Sequence, residues 1–448
     1  MKLLERLFGM RQRGSSVGIE ALAGTTTFLT LSYIVFVQPG VMAAAGIPFE
    51  TALFATCVAS AVGCLLMGLL ANYPIALAPA MGHNFFFAFI ACAPVAAGGL
   101  GLTWQQGLAA VLLSGSLFLL LSVVRFRERV IRAIPESLQH AIAAGIGLLV
   151  ALIGLEWGGL VVDHPVTLLR LGDFSSPVAR VTLIGLAAVL VLQALRVRAA
   201  LLFTIVVGLA AALLCGVVPW PERIVALEIP FGTVLLELDF AGLFQSGRFL
   251  EVLFVLFFLD LFDTVGTLVG VSSRAGLMKD GELPRAGRAL FSDAAATVVG
   301  AALGTSTVTS YIESAAGVQA GGRTGLANLF TALLLLLALP LSPLIEVVGR
   351  GVAYGETTCY PVLAPVLIAV GALMMQSVTR VKWEDPTEAL PCFLTMVVIP
   401  VSFSITDGLA LGFIGFSLAF LATRRGFKAH LVLHLLALAF LLRYLLLF

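Results

Sequence analysis

Apolar runs long enough to cross a bilayer recur along this sequence from Thr25 to its C-terminus, separated by short polar loops. In hydrocarbon every backbone N–H and C=O needs a partner inside the protein, so only helices and closed barrels can span. A barrel needs ten-residue segments of alternating polarity, and those are absent here, so the chain is a polytopic helical membrane protein. The balance agrees: 60% of residues are hydrophobic and 11% charged, where a soluble domain has about a quarter charged. The net charge of +1 argues against a nucleic-acid or acidic macromolecular partner.

Fourteen segments account for the pattern. They start near residues 19, 51, 72, 104, 137, 181 and 200 in the first half, and near 248, 289, 304, 326, 361, 388 and 407 in the second. Residues 430–447 form one further apolar helix, interrupted by Arg443. Basic loops give the orientation. Lys2, Arg6, Arg11 and Arg13 precede segment one, and Arg125, Arg127, Arg129 and Arg132 follow segment four. Arg196 and Arg198 follow six, and Arg274, Lys279, Arg285 and Arg288 follow eight. Arg323, then Arg380 and Lys382, then Arg424, Arg425 and Lys428 follow ten, twelve and fourteen. All of these loops come after even-numbered crossings, which puts the N-terminus in the cytoplasm by the positive-inside rule. The basic, amphipathic start lacks the apolar core of a cleavable signal, so the spans themselves direct insertion.

Segments three and ten are irregular. NYPIALAPAMGHNFFFAFIACA (72–93) carries Pro74 and Pro79, which forbid a continuous helix and suit a short extended piece before a half-helix near His83 or Asn84. GTSTVTS (304–310) is Gly, β-branched residues and Ser, which favour a strand. The two strands are natural partners at mid-membrane. Seven is odd, so a repeat of seven segments lies inverted relative to its first copy, and the irregular pair falls at matching positions. Matched broken segments are the best sequence pointer to a transporter's binding site.

Carboxylates at that depth are costly and by default mark a site. Asp260 and Asp263 lie three apart in FVLFFLDLFDTVGTLVG (254–270) and share a helix face that Thr264 and Thr267 continue. Gly266 and Gly270 are expected to admit a neighbouring backbone. Two carboxylates this close resist ionising together, which suits a proton carrier or a partner for a neutral ligand. Glu313 begins the second half-helix and Asn84 the first; a carboxylate accepts, while an amide both donates and accepts. Phe85, Phe86 and Phe87 offer flat surface for stacking a ring. Asp293 reads as a charge near a helix start and is left outside the site, as is Glu136. His83 is expected to be a satisfied buried histidine. The six cysteines show no metal or disulfide spacing and read as small packing residues.

Several stretches resemble the AzgA-like branch of the nucleobase:cation symporter-2 superfamily, the purine permeases. They are GIEALAGTTTFLTLSYIVFVQPGVMAAAGIP (18–48), LAPAMGHN (77–84), FLDLFDTVGTLVGV (258–271), GTSTVTSYIESAAGVQAGGRTGLANL (304–329) and PVLIAVGALMM (365–375). The resemblance implies an all-α fold of fourteen transmembrane segments in two inverted seven-helix repeats, with strands in segments 3 and 10. It also implies a core domain (17–124 and 248–346), a gate domain (137–217 and 361–422), and here an extra C-terminal helix (430–447). It places the purine beside the two broken segments, with Gly82 and Asn84 in the first, Asp260 and Asp263 on segment eight and Glu313 on segment ten. Taken with the reading of the residues, Gly82, Asn84, Phe85, Asp260 and Glu313 are expected to meet the substrate, and Asp263, Thr264 and Glu313 to serve proton coupling or site support. The chain departs from the family pattern in reading Ala80-Met81-Gly82 for Gly-Met-Gly, and His83 where an apolar residue is usual.

The expected activity is import of a purine base (hypoxanthine, guanine or adenine) by proton symport in the plasma (inner) membrane, with alternating access between core and gate. No catalytic residue, metal or cofactor is expected. The expected partners are the base, a co-transported cation, membrane lipid and, in one arrangement, a second copy as a homodimer. An anion carrier of the sulfate or bicarbonate type is the alternative, although site carboxylates would repel its cargo. An intramembrane aspartyl protease needs its aspartates on facing helices, whereas Asp260 and Asp263 share one.

Overall fold

The computed structural model describes residues 2–123, 135–164, 166–226, 234–278, 283–354, 357–423 and 431–447. Among them, eight helices are long and apolar enough to cross a membrane, and shorter apolar helices include Met81–Ala91, Ala200–Leu214 and Pro386–Ser402. The basic residues Arg125, Arg127, Arg129, Arg132, Lys279, Arg424, Arg425 and Lys428 lie outside the described residues.

The chain forms two compact units, Met1–Val123 with Gly154–Val366, and Val124–Ile153 with Leu367–Phe448. The first holds the elements that build the site. Helix α1 (Val17–Leu31) is capped by Ser16 and passes through Ser32 into α2 (Tyr33–Ala44). Helix α3 (Phe49–Leu66) continues as a wide turn to Ala71. The first broken segment follows as strand β1 (Leu77–Pro79) and half-helix α4 (Met81–Phe86). In the second half come α5 (Phe249–Arg274), α6 (Ala286–Leu303), strand β2 (Val308–Ser310), half-helix α7 (Ser314–Gln319) and α8 (Leu326–Leu337).

The expected pairing of the broken segments is present. Strands β1 and β2 run antiparallel, with Leu77 opposite Ser310, Ala78 opposite Thr309 and Pro79 opposite Val308. Pro79, which has no N–H to give, takes a position whose N–H would point away from β2, since the cross-strand bonds fall at Ala76 and Ala80. Helices α1 and α8 meet at Gly24, where a Cβ would collide with the Ala327 carbonyl and lie 2.8 Å from the Phe330 Cβ. The turn before α8 rests on Gly68 in the same way, since a Cβ on Gly325 would overlap the Gly68 backbone. Small residues let these backbones approach where lipid gives no hydrophobic drive to associate.

Three local expectations change. The segment expected from 181 starts at Pro177, because Ser176 caps it with an N–H···Oγ bond from Ala179 (3.2 Å) and Pro177 takes the first turn. At Gly266 and Gly270 no described atom lies within 4 Å of where a Cβ would stand, so these glycines are not a close-packing seam. Two hairpins, Val161–His164 with Leu168–Leu171 and Val352–Tyr354 with Thr357–Cys359, lie in connections that show no alternating pattern.

In the second unit, Leu431–Leu447 is helical and packs on Ile405–Ala422. Phe413 and Phe440 stack with ring centroids 5.8 Å apart. Asp407 accepts from Arg443 Nη1 (3.1 Å) and from the Tyr444 hydroxyl (2.6 Å). The arginine that interrupts this apolar run is therefore paired.

Candidate substrate site at the paired broken segments

A two-stranded ladder inside a helical bundle leaves its outer edges without backbone partners, and side chains of the neighbouring helices supply them. On the β1 side, Asn328 Nδ2 donates to the Ile75 carbonyl (2.6 Å), and Ser314 Oγ accepts from Ala76 N (2.9 Å). Cys64 Sγ lies 3.3 Å from Leu77 N, so this cysteine serves the strand edge as well as packing. On the β2 side, Thr297 Oγ1 donates to the Val308 carbonyl (2.9 Å). The ladder is prolonged by Tyr311 N to Ala76 O and Ala80 N to Thr307 O, both 2.9 Å.

The carboxylate at the centre of this arrangement is Asp293. It lies two turns into α6, fully buried, rather than at a helix start. Its Oδ1 accepts from Ser310 N (3.0 Å), Ser310 Oγ (3.0 Å) and Thr309 Oγ1 (3.1 Å), and its Oδ2 from Thr264 Oγ1 (2.8 Å). Thr264 in turn contacts Asp260 Oδ1 (3.2 Å) and Thr309 Oγ1 (2.8 Å). Asp260, Thr264, Asp293 and β2 thus form one hydrogen-bonded network linking α5, α6 and the second broken segment. The sequence did carry a signal for Asp293: Thr297, one turn later, shares its face and also bonds β2.

Asp260 and Asp263 occupy different surroundings although they are neighbours on α5. Asp260 is 1% exposed, whereas the Asp263 side chain is 45% exposed. Asp263 is close enough to Asp293 and Glu313 to interact with both charges. Glu313 occupies the N-cap position of α7. Its Oε1 accepts from the Tyr33 hydroxyl (2.8 Å), and its backbone carbonyl accepts from Thr30 Oγ1 (3.3 Å), so the α1–α2 junction holds it in place. Tyr33 escaped the sequence reading because a lone tyrosine in an apolar run has no pattern to mark it.

In the first broken segment, Gly82 is half-buried in the first turn of α4, and Asn84 is fully buried. Asn84 Oδ1 accepts a short hydrogen bond from Ser306 Oγ. Next to it, Gln38 Nε2 donates to Thr305 Oγ1 (3.0 Å). Asn84 and Glu313 therefore flank the ladder from opposite half-helices, as inverted repeats require. Phe85 is buried against Phe89 (centroids 5.7 Å apart, near parallel) and Trp157 (6.5 Å), and Trp157 packs on Tyr360 (4.1 Å). His83 departs from expectation: it is 1% exposed, yet neither ring nitrogen has a hydrogen-bond partner among the described residues. Its Nδ1 stands 4.0 Å from Asp263 Oδ2.

Chemically, this is a compact set of carboxylates, amides and hydroxyls on two broken segments, backed by an aromatic cluster. It suits a small, neutral, hydrogen-bonding ligand. The Permease family model Xan_ur_permease matches residues 18–411. The adenine permease AdeP of Escherichia coli is 41% identical over 424 residues, covering 94% of this chain and 92% of that one. The guanine/hypoxanthine permease PbuG of Bacillus subtilis is 39% identical over 452 residues, covering 98% and 99%. Among solved structures, the transmembrane domain of a cyanobacterium bicarbonate transporter, BicA, superposes with a TM-score of 0.61 at 16% identity, covering 88% of this chain and 96% of that one. At that identity the likeness is one of fold.

Proposed function

The chain belongs to the Permease family, a family of multi-pass membrane transporters and not of enzymes, and we propose that it imports a purine nucleobase together with a proton. The observation that carries this reading is the convergence of Asp260, Asp293, Glu313 and Asn84 on the paired strands. A neutral base has hydrogen-bonding edges for a carboxylate and an amide, and relatives named for adenine and for guanine/hypoxanthine are similar over nearly their whole length.

In this reading Gly82, Asn84, Asp260 and Glu313 meet the base, with Phe85 in the apolar wall beside it. Asp263 takes part in proton coupling, since its side chain is open while its charge interacts with Glu313, and Thr264 supports the site through Asp260 and Asp293. The base would be released by relative movement of the core (17–124, 248–346) and gate (137–217, 361–422), with the N-terminus on the cytoplasmic side of the plasma membrane. An anion cargo is disfavoured, because the side chains around β2 are acidic.

Uptake of labelled hypoxanthine, guanine and adenine by a permease-deficient cell expressing this chain tests the reading. Uptake of at least one base, abolished by a protonophore and by Glu313→Gln at normal membrane levels, is the expected result. Normal accumulation by Glu313→Gln defeats the site assignment, and uptake indifferent to the protonophore defeats proton coupling.

A further inference from the structure

A buried imidazole with two unpartnered nitrogens is costly, and His83 is placed in that condition beside a functional carboxylate. Burial of a polar group without a hydrogen bond is unfavourable, and native interiors rarely leave such groups unmatched. Among the described residues, His83 Nδ1 and Nε2 have no hydrogen-bond partner, and the residue is 1% exposed. An ion-pair partner within reach is Asp263, whose Oδ2 lies 4.0 Å from Nδ1, beyond hydrogen-bond distance. The two belong to elements that pack together, α4 and α5. Asp263 differs from its partner in being open, with 45% of its side chain exposed.

We propose that His83 is a positioning residue for Asp263: its Nδ1–H closes on one carboxylate oxygen when substrate engages the other. This rests on the purine reading above and extends it, adding a contact with the base to the part that Asp263 takes in proton coupling. Site hydrogen bonds are often long before ligand binds and tighten in the complex. Asp263 on a free side chain samples several rotamers, and each bond it makes to a base must offset the entropy of choosing one. A fixed imidazole behind it removes part of that cost and leaves the second oxygen presented to an N–H of the base. In this proposal His83 makes no contact with the base of its own. It acts through Asp263.

The test uses the full-length chain in a permease-deficient cell, with membrane levels quantified and the preferred purine taken from wild-type uptake. His83→Leu restores an apolar side chain, while His83→Gln keeps a donor of similar reach. The expected result is a KM raised roughly fivefold or more in His83→Leu with the maximal rate within about twofold, largely rescued in His83→Gln. In an Asp263→Asn background the same His83→Leu change should have a much smaller effect on KM, because coupled residues are not additive. If His83→Leu is poorly inserted, His83→Met, also apolar and without an N–H donor, takes its place in both backgrounds.

An unchanged KM in His83→Leu overturns the proposal. So does an equal loss in both backgrounds, or a fall in protein level with normal KM, which is a packing role. If the wild-type chain takes up no purine, the functional reading itself has failed and this inference falls with it. Purine uptake with an indifferent His83 sinks only the inference.

Discussion

Replacing Asp293 by alanine should cost about 3 kcal/mol of stability, although the residue reads from the sequence as an ordinary helix-start charge. The carboxylate holds Ser310 N, Ser310 Oγ, Thr309 Oγ1 and Thr264 Oγ1 at 2.8–3.1 Å. Truncation strands the Ser310 N–H in a buried place, at about 1–3 kcal/mol, and removes charge-assisted bonds to three hydroxyls. Thr264 and Thr309 keep each other at 2.8 Å, which limits the further loss to roughly 1 kcal/mol. Asparagine preserves the shape and the acceptor facing Ser310, and asks only the Thr264 hydroxyl to become an acceptor. Asp293→Asn should therefore cost about 1 kcal/mol. With the specific unfolding entropy scaled to a unit of several hundred residues, these become drops of roughly 4 °C and 1 °C in Tm. Melting of detergent-solubilised protein followed by size-exclusion fluorescence resolves the two. Equal Tm values for the alanine and asparagine variants, or an alanine variant that melts like wild type, would refute the argument that this carboxylate serves the β2 edge.

Three further outcomes follow from the same contacts. Tyr33→Phe removes the 2.8 Å hydroxyl bond to Glu313 Oε1 and should raise the purine KM about fivefold with Tm within about 1 °C of wild type, checked by uptake and melting. Gly325→Ala drives a Cβ into the Gly68 backbone and should lower Tm by an overpacking cost of about 1–3 kcal/mol, whereas Gly18→Ala, with nothing within 4 Å, should be neutral or slightly stabilising. In the second unit, Arg443→Ala removes the charged donor to Asp407 and should cost about 1–2 kcal/mol. Adding Asp407→Ala should then cost little more, and a fully additive double variant in the same melting assay would contradict the pairing.

Much of the architecture is present in the one-dimensional pattern. A bilayer forbids unpaired backbone, so the lengths of the apolar runs, Pro74 and Pro79 in one segment and GTSTVTS in another lead to a helical bundle with two broken segments. Their antiparallel pairing, Leu77 with Ser310 to Pro79 with Val308, follows from the same requirement, because each extended piece offers the other the backbone partners that lipid cannot. Asp260 and Glu313 were legible as site candidates because carboxylates in apolar runs are too costly to be accidental.

What the chain alone could not say is which polar side chains meet. Asp293 takes its role from β2, which leaves α6 at Leu303 and turns back to pass alongside it, and Tyr33 takes its role from Glu313, which is distant in sequence. Asp260 and Asp263 look equivalent at helical spacing, yet one is buried in the Thr264 network and the other is open beside His83, because helices pack on only part of the α5 surface. Periodicity fixes which residues share a face. It does not fix what that face is packed against, and for a carboxylate or an imidazole in a low dielectric the neighbour decides the chemistry.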